Sequence, residues 1–253
     1  MAIEFRKKPG IVAYLTAGDP DLATTRDIAL AAIDNGADVI ELGVPFSDPL
    51  ADGPVIQRAS ERAVARGTRL TDVLQLAKEL RTARPAAGLV LFSYLNPVVR
   101  MGLKTLCSRA ADAGADGVLL TDMIVEEAGE YLEAMKENRL APVFLAAPTS
   151  PDARLKAIAG VSQGFVYAIS RVGITGTQQK IAGDAAELVM RLRQFTTLPI
   201  AVGFGISNAE HVKAVGEFAD AAVIGSALVA LIEKTPPADA AAAVGRFIAG
   251  LRE

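Results

Sequence analysis

Residues 37–54 read Ala-Asp-Val-Ile-Glu-Leu-Gly-Val-Pro-Phe-Ser-Asp-Pro-Leu-Ala-Asp-Gly-Pro, and this stretch sets the fold class. The first seven residues form an apolar run that reads as a buried strand, and the remainder is a proline-rich loop. Strand alternation puts Val39 and Glu41 on one face, so Glu41 points inward among apolar neighbours, where a carboxylate is costly without work or a partner. Asp48 and Asp52 lie in the loop, which Pro45, Pro49 and Pro54 stiffen by fixing φ. A desolvated acid beside a solvated one suits acid–base chemistry.

Outward from this stretch, strand-like runs recur near 11–15, 88–94, 116–121, 142–146, 164–170, 199–203 and 220–224, with helix-period segments such as 22–35, 71–83, 126–138 and 185–195 between them. Eight apolar strands alternating with helices predict a single (β/α)8 TIM barrel over 1–253, with a doubly wound open sheet as the alternative. Glycine-rich turns after the last two strands favour the barrel. An extra helix is expected over 55–65 after the second strand. A loop over 171–183 after the sixth has the length of a lid. The segments 35–38, 113–116 and 217–220, each ending in Ala-Asp, read as punctuation between helix and strand.

With 51% hydrophobic residues among 253, the chain can bury one sizeable core. Lys and Arg total 26 against 29 Asp and Glu, a net −3 with no basic block, which argues against nucleic acid. No charge-free apolar stretch reaches the ~18 residues of a membrane span, so a soluble protein is expected. Arg6-Lys7-Lys8 imitates the start of a signal peptide, but Asp19-Pro20 interrupts the apolar stretch after it. The single Cys107, in a helical stretch, reads as a buried structural thiol and points to a reduced, cytoplasmic compartment. His211, the only histidine, reads as a surface residue in a helix opened by a capping box at Ser207-Asn-Ala-Glu210, leaving none for a triad or a metal cluster.

In a barrel the residues that close the strands form one ring at the active end, here Asp19, Glu41, Tyr94, Asp122, Tyr167 and the glycine turns. Glu41 is the candidate proton donor and acceptor, with a Glu paired to a cation as the alternative. Asp52 is either a second catalytic carboxylate or the cap of the next helix. Gly203-Phe204-Gly205 and Gly225-Ser226, with a short phosphate-binding helix over 227–234, make an anion cradle that Gly176 would complete. Phe92, Leu119 and Tyr14 line an apolar slot for an aromatic ring or belong to the core. Arg171 and Lys180 read as charges on the lid.

The run Glu41 to Pro54, together with Thr16-Ala-Gly-Asp-Pro20, Tyr94-Leu-Asn-Pro97, Ser170-Arg-Val-Gly-Ile-Thr-Gly176, Gly203-Phe-Gly-Ile206 and Gly225-Ser226 in the matching order, closely resembles the tryptophan synthase alpha subunit family from about Tyr14 to the C-terminus. That resemblance implies the same barrel and the retro-aldol cleavage of indole-3-glycerol phosphate to indole and glyceraldehyde 3-phosphate. It implies Glu41 as the acid–base group, Asp52 as the carboxylate that holds the indole N–H, and Tyr167 near substrate or Glu41. Thr175 would meet Asp52 when the lid shuts. No cofactor or metal is implied in this chain. Pyridoxal phosphate would sit on a beta-subunit partner in an alpha-beta-beta-alpha tetramer, contacted through Pro45, Asp48 and Asn96-Pro97.

Two features depart from the family pattern. An amphipathic helix usually precedes the first strand and covers the barrel bottom, whereas only about ten residues precede Ile11. After the fourth strand, Asp122-Met-Ile-Val-Glu-Glu127 has Ile124 where the family has proline, which frees that loop. Three competitors are a free-standing indole-releasing lyase, a non-catalytic subunit that only activates a partner, and a phosphosugar isomerase on the same barrel.

Overall fold

In the computed structural model the described residues are 3–169, 178–203 and 205–253, without the side chains of 178–182. Ser170, Arg171, Thr175, Gly176 and Phe204, and the side chain of Lys180, lie outside them.

Strands β1 (Gly10–Thr16) and β2 (Val39–Gly43) pair in parallel with Tyr14 opposite Glu41. β3 (Gly88–Ser93), β4 (Gly117–Leu120), β5 (Ala141–Val143), β6 (Leu145–Ala146), β7 (Val166–Ile169), β8 (Ile200–Gly203) and β9 (Ala221–Ile224) extend one parallel sheet in the order β5-β4-β3-β2-β1-β9-β8-β7-β6. β5 and β6 are the expected strand at 142–146 divided at Phe144. Pro142 has no amide proton to give, and the Phe144 carbonyl accepts the Tyr167 amide at 3.1 Å. Both ends of the ladder thus fall on one segment, and the sheet closes as a (β/α)8 barrel.

The helices are α1 (Leu22–Asp34), α2 (Pro54–Ala65), α3 (Leu70–Ala83), α4 (Leu95–Met101), α5 (Leu103–Asp112), α6 (Gly129–Glu137), α7 (Asp152–Val161), α8 (Gln178–Arg193), α9 (Ala209–Gly216), α10 (Ser226–Lys234) and α11 (Pro237–Gly250). α2 is the extra helix anticipated after the second strand. The expected loop over 171–183 is corrected at its end, because α8 already runs from Gln178 and carries Gly183 inside it. A helical glycine costs about 1 kcal/mol relative to alanine, too little to stop a helix whose later turns bury Ala185, Leu188, Val189 and Leu192. α9 is also corrected: Asn208, not Ser207, is its cap, accepting the His211 amide at 2.9 Å, and His211 is half-buried.

Period-two alternation sorts the strand residues. Val12, Val39, Val90, Leu119, Val143 and Phe165 fill the barrel, while Ile11, Leu15, Ile40, Leu42 and Leu91 face the helices. No helix precedes β1 among the described residues. The bottom is instead closed by Ile3, buried in the interior cluster, and by Phe5, edge-on to Phe165 with ring centroids 6.0 Å apart. Gly10 makes room for it, since a Cβ there would run into the Phe5 ring.

The three Ala-Asp sites do more than punctuate. Asp38 Oδ2 accepts the Ile11 amide at 2.9 Å and Arg252 Nη2 at 2.6 Å. Asp116 Oδ2 accepts the Leu89 amide at 2.9 Å and Arg81 Nη2 at 2.6 Å. Asp220 Oδ2 accepts the Ile200 amide at 2.8 Å and an Arg193 guanidinium N–H. Each stitches the foot of a neighbouring strand and is itself covered by an arginine. No helix among the described residues is long and apolar enough to cross a membrane.

Candidate active site

β2 delivers Glu41 to the inner face of the barrel, between Tyr14 of β1 and Val90 of β3. Its side chain is 0% exposed, and neither carboxylate oxygen has a hydrogen-bond partner among the described residues. The alternative of a Glu paired to a cation is therefore excluded there. Burial alone pushes its pKa up to about 8, so it carries a proton at neutral pH. Leaving polar atoms buried and unpaired costs roughly 1–3 kcal/mol each, which makes Glu41 a candidate for chemistry.

Asp52 does not cap α2. The N-cap is Gly53, without a side-chain bond, and Pro54 opens the helix. The Asp52 Oδ2 atom accepts the Tyr94 hydroxyl at 3.0 Å, and the same hydroxyl accepts the Ala51 amide at 2.9 Å. Asp52 is half-buried rather than solvated, and burial pushes its pKa up to about 6 against the pull of the Tyr94 bond. The solvated carboxylate of this loop is Asp48, which accepts the Ser47 hydroxyl at 2.6 Å.

Tyr167, inward on β7, lies over Gly203, where a Cβ would stand 2.5 Å from its hydroxyl. Burial first, and then the charges of Glu41, Asp52 and Tyr14, hold its phenol far above the usual range, so it stays neutral. Tyr14 lies likewise over Gly43, where a Cβ would collide with its hydroxyl, and meets Phe92 edge-on at 5.1 Å. Leu119 is fully buried inside the barrel, opposite the half-buried Phe92 in register.

α10 begins at Ser226, with Gly225 as its cap. A Cβ on Gly225 would sit 3.7 Å from both Tyr14 Cβ and Ile56 Cδ1, so this helix end abuts the aromatic pair. Gly205 holds a φ of 36°, a left-handed conformation that favours glycine. Two members of the strand-end ring are spent on structure: Asp19 on the Arg62 fork, and Asp122 as acceptor of the Leu95 amide at 2.7 Å. Cys107 is buried, its thiol pushed up to about 11 by burial. Among the described residues no group of three or more His, Cys, Asp or Glu could hold a metal ion.

The family model described as tryptophan synthase alpha chain matches residues 2–249. This chain belongs to the tryptophan synthase alpha chain family. The alpha chain of Cupriavidus pinatubonensis is 46% identical over 252 residues, covering 100% of this chain and 95% of that one. The alpha chain of Solibacter usitatus is 52% identical over 227 residues, covering 90% and 85%. A crystal structure of the tryptophan synthase complex from Pyrococcus furiosus superposes with a TM-score of 0.88 at 37% identity, covering 97% of this chain and 98% of the other. A Mycobacterium tuberculosis tryptophan synthase structure also gives 0.88, at 36% identity and 97% and 93% coverage. Membership of the alpha chain family accounts for the strand-2 signature and suggests a beta-subunit partner.

Sequence reasoning placed Glu41 and Tyr167 on the strands they occupy and Asp52 in its loop, but Glu41 and Tyr167 lie within β2 and β7 and do not close them. It did not foresee that the Tyr94 hydroxyl holds Asp52, although an aromatic with a polar tip at a strand end was the available signal. Ile56, against Gly225, was missed because helix periodicity alone marks it as core.

Proposed function

We propose that this chain is a lyase that cleaves indole-3-glycerol phosphate to indole and glyceraldehyde 3-phosphate and passes indole to a beta subunit. The observation that carries the reading is the buried Glu41, without a hydrogen-bond partner among the described residues and with its pKa raised by burial. Its carboxylic acid gives a proton to indole C3, and the ring nitrogen becomes cationic while keeping its N–H. Asp52, ionised, accepts that N–H and stabilises the charge. The Glu41 carboxylate then takes the proton of the hydroxyl on the carbon joined to C3. The O–H pair forms the aldehyde C=O, the C–C bond breaks, and its electrons restore the neutral indole. One proton has moved from oxygen to carbon, and Glu41 ends as it began.

Tyr167 is the neutral donor beside these acids, and Tyr14, Phe92 and Leu119 form the slot for the ring. Gly203, Phe204, Gly205, Gly225 and Ser226 cradle the phosphate, with Gly176 completing the cradle and Thr175 meeting Asp52. Pyridoxal phosphate belongs to the beta subunit, in an alpha-beta-beta-alpha tetramer of the cytoplasm. The test is indole release by the purified chain with and without a tryptophan synthase beta subunit. Slow release that rises sharply with beta supports the coupled alpha subunit. Fast release by the chain alone supports a free-standing lyase, and no release in either case overturns the reading.

A further inference from the structure

Helix α2 joins two parts of the site. It starts two residues after Asp52, and Ile56 in its first turn reaches the Gly225 end of α10. Farther along, Arg58 Nε and Nη2 donate to Glu233 Oε1 and Oε2 at 2.9 and 2.8 Å, from α2 to the far end of α10. Arg62 Nη1 donates to Glu233 Oε1 at 2.7 Å, while its Nε and Nη2 take both oxygens of Asp19 at 2.8 and 2.7 Å. Asp19, only 5% exposed, sits in the loop that leaves β1. One guanidinium thus fastens α2 to α10 and to the β1 loop together. Ala59 and Val229, both buried, pack with Tyr14 in the same apolar cluster.

We propose that Arg62 is a positioning residue which, through Glu233 and Asp19, sets the separation between the Glu41/Asp52 acids and the Gly225-Ser226 end of α10. The inference rests on the function proposed above. A ligand gripped at both ends gains from the second grip only when the two sites are spaced to its length, whereas a ligand held at one end does not sense that spacing. The planar fork is used on both edges, a geometry that a lysine ammonium does not reproduce. Hydrogen bonds from Arg58 and then Arg62 hold the Glu233 pKa down to about 2, so the clamp is charged across the pH range of cleavage. Arg58 and Glu233 are part-exposed, and their pairing adds little to global stability. Loss of Arg62 also strands the buried Asp19, so Glu233→Gln is the variant that isolates geometry.

The test compares Arg62→Gln, Arg62→Lys and Glu233→Gln with the unaltered protein and with Arg84→Gln. That control removes an exposed arginine fork on Asp34 at the other end of the barrel. The readings are kcat and KM for indole-3-glycerol phosphate with beta subunit present, inhibition by inorganic phosphate, and thermal melting. Arg62→Gln and Glu233→Gln are expected to lose about 10–100-fold in kcat/KM with phosphate inhibition unchanged, Arg62→Lys not to restore the rate, and Arg84→Gln to match the unaltered protein. If Arg62→Gln does not fold, Glu233→Gln on the more exposed side carries the test. Unaltered kcat/KM in the folded variants overturns the proposal. So does equal weakening of phosphate and substrate, which would mean damage to the cradle alone. Absence of cleavage by the unaltered protein overturns the functional reading and this inference with it.

Discussion

The aspartates at the strand feet and the two candidate acids at the mouth of the barrel are treated in opposite ways. At the bottom, Asp38, Asp116 and Asp220 each accept a strand amide and an arginine. At the top, Glu41 has no partner among the described residues, and Asp52 has one side-chain donor, the Tyr94 hydroxyl. Burial would raise Asp220, but the Ile200 amide and Arg193 pull its pKa below the usual carboxylate range, whereas burial lifts Glu41 to about 8. The same side-chain chemistry is thus held as an anion at Asp220 and favours its proton at Glu41. The number of donors supplied decides which.

The contrast is tested most severely by Glu41→Gln. Losing the only proton that moves should cost about 10³-fold in kcat, within the range of general acid–base catalysis, measured as indole release. Glu41 binds its proton more tightly folded than unfolded, so it costs stability increasingly as pH rises from its ordinary value of 4.5 toward about 8. The variant should therefore melt no lower than the unaltered protein at pH 8. A large loss of stability with retained rate would break the comparison.

Asp38→Ala should do the reverse. Stranding Arg252 and the Ile11 amide should cost about 3 kcal/mol in denaturant unfolding, with kcat/KM of the folded fraction unchanged. A matched pair comes next. Gly10→Ala pushes a methyl into Phe5 and should cost about 1–3 kcal/mol of stability. Gly203→Ala pushes one into the Tyr167 hydroxyl and should lower kcat more than it lowers the melting temperature. Equal readouts at the two ends would contradict the division.

The smallest effect concerns pH. Cleavage needs Asp52 ionised and Glu41 protonated, so kcat/KM should follow a bell with limbs near the values of about 6 and about 8. The Tyr94 bond lowers the Asp52 pKa, so Tyr94→Phe should move the acid limb to higher pH and leave the alkaline limb in place. A shift of the alkaline limb instead would assign the groups the other way round.

The strands were readable because burial on both faces makes each a near-continuous apolar run, and strand geometry then puts Val39 and Glu41 on one face. The Ala-Asp sites were visible as sequence but not as function, because the amide each Asp accepts lies 20 or 27 residues away on another strand. The hold of Tyr94 on Asp52 spans 42 residues and depends on how the loop folds back. The sequence left open which loop acid is solvated, because exposure depends on how the loop folds back; it is Asp48, and Asp52 is half-buried. The closing of the bottom by Ile3 and Phe5 obeys no periodicity at all.

The division of one strand at Phe144 bears on how the molecule meets others. Because β5 and β6 are halves of one segment, the first and last rungs of the ladder meet there, and among the described residues the sheet offers no free edge for a foreign strand to extend. β-Augmentation of this sheet is thereby disfavoured, as is the edge-to-edge stacking that seeds fibrils. Any association has to be made by side chains on loops and helices, surfaces that can vary without disturbing the ladder beneath.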